Sequence, residues 1–390
     1  MSNKPVFDYP LFAMGFRVFF ALAGLSALAL IALWSAMTNS ALHLDNYYPA
    51  SIWHGHEMLL GYAVAVIAGF LLTAIKNWTG LQPLKPNQLA GLALLWLYGR
   101  VVPFYADLLP DGLIALIDFS FLPLLAYFAA QPLLRSNSRH NLIFILILIG
   151  LALANGLIHA QILGLAQTAS TGLQLAAALT VLIIIFVAGR VFPYFTERGL
   201  SGAICIRNPL LDLAALLGST LALGLWVFDV SGWLLALAAF AAVVVNLLRV
   251  SGWLDRRILY VPLLWILYIG YGWLILGFAL LALSAFALVL PSLALHAFTL
   301  GSIGVLTLGM MARVSLGHTG RALKVSNIIA LAFVLINLAA VFRVLFPILL
   351  PAWYSSFIII SSYCWLAAFS LFGLYYAPIL SEPRVDGQPG

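Results

Sequence analysis

The chain has 390 residues, 64% of them hydrophobic and 8% charged, with a formal net charge of +6. Such an apolar composition excludes a soluble globular domain or a disordered chain and points to an integral membrane protein. The positive charge calls for no nucleic-acid partner, since basic residues gather on the cytoplasmic loops of membrane proteins.

The first ten residues lack a short apolar core followed by a small-residue cleavage site, so the first hydrophobic run is expected to remain as a helix. Apolar runs long enough to cross the hydrocarbon lie at about 17–37, 57–75, 89–106, 112–131, 141–164, 173–193, 209–228, 231–250, 259–284, 293–313, 326–346 and 354–378. Prolines such as Pro49, Pro86, Pro110, Pro209, Pro291 and Pro351 punctuate the junctions. The reading is an all-α membrane protein of about twelve transmembrane helices in a single domain covering 1–390. Cys205, in a predicted inner loop, and Cys364, in a predicted helix, are the only cysteines and offer no disulfide framework or thiolate metal site.

Basic residues set the orientation. With both termini inside, 16 of the 18 Lys and Arg fall on the cytoplasmic side, and only Arg100 and Arg343 fall at outer helix ends. The same orientation brings His43, His54, His56, His159 and His296 to one depth near the outer face. His159 reaches it because about 20 helical residues, roughly 30 Å, separate it from the inner end of its helix. His140 and His318 remain cytoplasmic.

A histidine ring in lipid gains little from being left unpaired, so rings gathered at one level suggest shared ligands. Haem iron and copper both accept imidazole. His54 and His56, in Trp53-His54-Gly55-His56-Glu57, would point about 200° apart on a helix. They serve one metal only if the segment is extended, and otherwise two neighbouring sites. Glu57 is the candidate for proton delivery, or else accepts backbone amides at the helix start. Trp53 is a candidate to line a cofactor, or else belongs to the interfacial aromatic belt.

Asn155 and His159 lie one helical turn apart on one face. His296 opens a helix that continues with Gly301, Ser302, Gly304 and Gly309, a small face suited to a close helix or a flat macrocycle. Arg100 and Arg343 suit haem propionates, or snorkel to phosphates, or pair with Asp107, Asp111 or Asp118. Of these acids Asp118 is the best placed to act or pair inside the bundle.

Three stretches restart alike, at Arg17-Val-Phe-Phe, Arg139-His-Asn-Leu-Ile-Phe and Arg257-Ile-Leu-Tyr. They outline possible repeats at 17–138, 139–256 and 257–384, four helices each. Three arcs of four helices would resemble the catalytic subunit of haem–copper oxidases, although the sixth predicted helix carries no histidine.

The segments Trp53-His54-Gly55-His56-Glu57-Met58, Ala68-Gly69-Phe70-Leu71-Leu72-Thr73-Ala74, Asn77-Trp78-Thr79-Gly80, Gly189-Arg190-Val191-Phe192-Pro193 and Arg313-Val-Ser-Leu-Gly-His-Thr-Gly-Arg321 resemble the NnrS family. So does the opening Leu11-Phe12-Ala13-Met14-Gly15-Phe16-Arg17. The resemblance runs over nearly the whole chain. It implies a bacterial inner-membrane protein of twelve helices, containing haem (b-type) and copper, associated with denitrification and defence against nitric oxide. It supplies no ligand assignment. The leading expectation is therefore an oxidoreductase that reduces or otherwise removes nitric oxide near the periplasmic face, fed by an unidentified electron donor. The alternatives are a transporter or metal-handling permease, and a haem-based sensor or sink without turnover. Polar groups near the outer face rather than at the midplane favour cofactor binding over transport.

Overall fold

The computed structural model describes residues 9–38, 41–42 and 45–388. Its principal helices are α1 (Gly15–Thr38), α2 (Ala50–Thr79), α3 (Pro86–Val101), α4 (Asp111–Leu134), α5 (Ile143–Ile162), α6 (Ala169–Gly199), α7 (Pro209–Val227), α8 (Trp233–Ser251), α9 (Pro262–Ser284), α10 (Pro291–His318), α11 (Asn327–Leu349) and α12 (Tyr354–Ser381). No strand occurs among the described residues. The chain is thus all-α and multi-pass. Among the described residues, eleven helices are long and apolar enough to cross a membrane. The run expected at about 89–106 is α3, of 16 residues, continued by a 3₁₀ turn at Val102–Tyr105. At about 1.5 Å and 2.0 Å per residue the two together reach roughly 32 Å, close to a hydrocarbon thickness.

Prolines open many of these helices because the first turn has no use for the missing N–H. Pro86, Pro209, Pro262 and Pro291 sit at the first helical positions, and Pro49 and Pro110 just before them. Gly80, at φ +70°, ends α2 in the left-handed conformation that glycine adopts without strain.

Three helices change their winding: α11 has a π turn at Val341–Leu345, and α2 and α10 each widen next to a histidine. In α2 an α-helical first stretch, Ala50–His56, passes into a π-helix over Glu57–Ala63 before α geometry resumes at Val64. In α10 the same order recurs: Pro291–His296, a π-helix over Ala297–Gly304, then α from Val305. In both, a histidine is the last residue before the wider turn. Such π insertions are frequent at functional sites.

The chain divides into two compact units. The first holds residues 1–176, 311–323 and 369–390; the second holds 177–310 and 324–368. In the first unit α1 packs on α2, α3 on α4, and α4 on α5. Small residues let backbones approach. A Cβ added at Gly15 would lie 2.6 Å from Leu72 Cβ, and one at Gly69 2.8 Å from the Phe20 ring. In the second unit α7, α8, α9 and α10 pack in succession. There Arg249 is buried with its charge compensated: Nε donates to Asp212 Oδ1 at 2.6 Å, and NH1 to the Ile185 carbonyl at 2.8 Å and the Tyr271 hydroxyl at 3.1 Å.

Near the polar residues of α5, α6 approaches closely at Gly172. A Cβ there would stand 2.6 Å from the Ala154 carbonyl oxygen and 2.8 Å from Ile158 Cγ1. Because one obstacle is backbone, Gly172→Ala is expected to destabilise the protein by about 1–3 kcal/mol and to displace the face of α5 that carries Asn155 and His159. Gly91→Ala, where an added Cβ meets nothing within 4 Å, is the control and should not destabilise. Thermal unfolding of the two variants in one detergent makes the comparison.

Candidate metal centre

Because α2 is helical from Ala50, His54 and His56 project in different directions. His54 turns to α1, where its ring stacks on Trp34 at 4.3 Å and 18°. His56 turns inward and is 0% exposed, as is Glu57, the first residue of the π turn. The extended segment that a shared metal would have required is absent, so the two rings serve separate surroundings.

His56 meets residues from three other places in the first unit. Asp118 comes from α4 and is 3% exposed; Asn155 and His159, one turn apart, come from α5 and are also buried. His56 Nε2 lies 3.1 Å from Asp118 Oδ2 and 3.0 Å from Asn155 Oδ1. His159 Nε2 lies 3.0 Å from the same Asp118 oxygen, to which Asn155 Nδ2 donates at 2.9 Å. The segment just before α2 closes the group. Tyr47 is tied by its backbone N–H to the Pro103 carbonyl at 2.8 Å, and its hydroxyl stands 3.2 Å from His159 Nδ1. The Tyr48 ring stacks on His56 at 4.5 Å, and its hydroxyl stands 3.2 Å from His56 Nε2. Burial, followed by the nearby Asp111 and Asp118 carboxylates, pushes the Tyr47 phenol above its ordinary range.

Arg100, at the C-terminal end of α3, is bound to this group. NH1 donates to Glu57 Oε1 at 2.8 Å and NH2 forms a short ion pair with Asp118 Oδ1. Of the partners open to it on sequence grounds, Asp118 is one it has, with Glu57 as the other. Glu57 Oε1 also lies 3.2 Å from His56 Nδ1, whereas Glu57 Oε2 has no hydrogen-bond partner among the described residues. One guanidinium thus faces two buried carboxylates, leaving one formal negative charge. A protonated His56, which lies against both acids, or a bound metal ion supplies the balancing charge.

The donor atoms of His56, Asp118 and His159 lie within 4.8 Å of one another, close enough to bind one metal ion. Two imidazoles and a carboxylate suit copper or non-haem iron, and no thiolate is nearby to select a softer ion. The ring spacing leaves no room for a macrocycle at this point, because His56 is fully enclosed and covered by Tyr48.

The remaining sequence candidates lie elsewhere. His43 falls outside the described residues. Trp53 is 1% exposed and packs edge-on to Phe104 at 6.1 Å, with Nε1 unbonded among the described residues, so it is enclosed within the first unit. His296 belongs to the second unit, with Nδ1 2.7 Å from the Ser292 carbonyl oxygen. Arg343, in a π turn at Val341–Leu345 of the same unit, lies over the Tyr354 ring at 5.7 Å. The small face of α10 is already filled: Gly301 abuts Trp273 and Gly304 abuts Trp365, so no flat macrocycle lies against it. Tyr47 and Tyr48 were not singled out in the sequence. Their position two and three residues before the helix carrying His56 was the available signal.

No curated protein matches the chain. Residues 10–384 match the family model described as NnrS protein, and the chain accordingly belongs to the NnrS family.

Proposed function

We propose that this protein is a haem- and copper-containing membrane protein that binds nitric oxide and removes it by reduction, with copper held by His56, Asp118 and His159. Membership of the family makes it a nitric-oxide-related membrane protein. The observation that carries the metal reading is the convergence of three buried donor atoms within 4.8 Å, beside two carboxylates that share one guanidinium. Imidazole and carboxylate donors fit copper in its oxidised state.

Haem is assigned to the second unit. His296 Nδ1 donates to the Ser292 carbonyl, which orients the ring, and imidazole is a ligand that haem iron takes. The helix turn that carries His296 packs on the π turn that carries Arg343, a cation suited to a propionate. Bound there, the haem and the copper would supply the electronic steps.

The chain's own residues hold donors and move protons. Arg100 fixes the Glu57 and Asp118 carboxylates, and Asn155 fixes Asp118 against the two histidines. Reductive coupling of nitric oxide to nitrous oxide consumes protons as well as electrons. Glu57, with one oxygen bonded to Arg100 and the other unbonded, is the group placed to pass a proton to the site. The apolar surroundings admit a small neutral gas from the bilayer. Electrons come from a donor yet to be identified.

The expected result for purified protein is a haem absorption band, about one copper per chain, and consumption of nitric oxide by the reduced protein. Ala at His56 or His159 should remove copper and spare haem, while Ala at His296 should remove haem and spare copper. Protein that binds neither group after expression with iron and copper supplied would end this reading.

The setting proposed is the bacterial inner membrane with both termini cytoplasmic, supported by the 16-to-2 distribution of basic residues. Single cysteines in place of His318 and Asp45 should be labelled from the cytoplasmic and periplasmic sides respectively. The reverse pattern would invert the orientation and place the metal centre at the inner face.

A further inference from the structure

His56 is faced by more oxygens than its two ring nitrogens can bond one to one. Glu57 Oε1, 3.2 Å from Nδ1, places the ring proton on that nitrogen. The neutral ring then presents a lone pair at Nε2, yet three oxygens face it: Asn155 Oδ1 at 3.0 Å, Asp118 Oδ2 at 3.1 Å and the Tyr48 hydroxyl at 3.2 Å. The hydroxyl can donate to the ring. The amide and carboxylate oxygens cannot, and they oppose the lone pair. One proton on Nε2 would bond well to one of the three and leave the others poorly matched. A metal ion at the point where these atoms converge gives the Nε2 and carboxylate lone pairs a shared acceptor.

Tyr48 belongs to that set on two further grounds. Its ring lies nearly parallel to the His56 imidazole, at 28°, and its centroid is 5.8 Å from that of His159, so the phenol stands beside both histidines. It is also fully buried, in the segment whose path is set by the Tyr47 bond to the Pro103 carbonyl.

We propose that Tyr48 is a ligand of the metal, its phenolic oxygen joining His56 Nε2, His159 Nε2 and Asp118 Oδ2. The assignment rests on the metal centre proposed above and adds the ligand that determines its character. As the ion binds, the O–H bond of Tyr48 breaks, its proton leaves to solvent and the oxygen pair forms the bond to the metal; no oxidation is involved. Two imidazoles with two anionic oxygens form a hard donor set. It favours the oxidised ion, Cu(II), over Cu(I), which takes thiolate and thioether. Asn155 is then a positioning residue, holding Asp118 through Nδ2.

The test uses full-length protein in detergent, stripped by a chelator and titrated with Cu(II). The copper-minus-stripped difference spectrum of the wild type should contain a phenolate-to-copper charge-transfer band at one copper per chain. Tyr48→Phe, which removes only the hydroxyl, should lose that band and bind Cu(II) about 10- to 100-fold more weakly. Tyr47→Phe is the control for folding and for a nearby phenol: its oxygen faces His159 Nδ1, away from the ion, so the band should remain. A band that survives Tyr48→Phe, or wild-type protein that binds copper without one, overturns the ligation by Tyr48 and leaves the metal centre standing. Wild-type protein that takes up no copper overturns the centre and this assignment together.

Discussion

Replacing Asp118 by Ala is expected to abolish metal binding and to lower stability by several kcal/mol. One carboxylate holds the group together: Oδ2 faces His56 and His159 and accepts from Asn155, while Oδ1 accepts from Arg100. Without it, buried donors on Arg100 and Asn155 lose their acceptors, at about 1–3 kcal/mol each. The formal charge moves the other way, because Arg100 and Glu57 then balance. A variant that has lost metal yet is not destabilised beyond those hydrogen bonds is therefore consistent with an ionic role for Asp118 directed at a cation. Asp118→Asn separates shape from charge. It keeps the volume and one acceptor oxygen, so most of the stability should return, but copper affinity should not. Copper per chain and thermal unfolding, measured on the same preparations, read the two effects. Full copper content in Asp118→Ala would remove this residue from the ligand set.

The fold was readable because its signals are local. Hydrocarbon-length runs, with proline at helix starts, set most of the passes, and α3 was found even though its regular part falls short of the usual length. The gathering of His56 and His159 followed from depth, and the pairing of Asn155 with His159 from helical spacing. What stayed hidden depends on partners distant in the chain. Hydropathy begins the second run at about residue 57, whereas the helix begins at Ala50, since Trp53, His54 and His56 lower the local hydropathy without weakening the helix. That difference sends His54 to Trp34 and His56 to Asp118. The π turns have no composition of their own, so the one after His56 was invisible. The glycines of α10 looked like space for a cofactor, but Trp273 and Trp365, from α9 and α12, occupy it. Tyr48 enters the centre only because the segment before α2 folds back over His56.

Removal of the positive charge at Arg100 should have the largest effect on stability. Its two nitrogens hold two different carboxylates, Glu57 through NH1 and Asp118 through NH2. In Arg100→Gln both acids remain in an enclosed apolar setting with no fixed cation. Breaking a buried pair from one side costs about 3–5 kcal/mol, much of it from the charge left behind. Arg100→Lys should recover only part, because one ammonium lacks the planar fork that reaches both acids separately. If the bridge is what matters, neutralising one acid should repair the loss: Glu57→Gln with Arg100→Gln should be more stable than Arg100→Gln alone, with a coupling of about 0.5–3 kcal/mol. Bound copper supplies positive charge of its own, so chelation should lower the melting temperature of Arg100→Gln by more than that of the wild type. The haem-propionate role for Arg100 leads to a different pattern. Haem content or potential would change in Arg100→Gln, and Glu57→Gln would restore neither. Strictly additive single and double variants, with haem retention reduced, would therefore assign this arginine to a propionate and leave Glu57 without a partner in function.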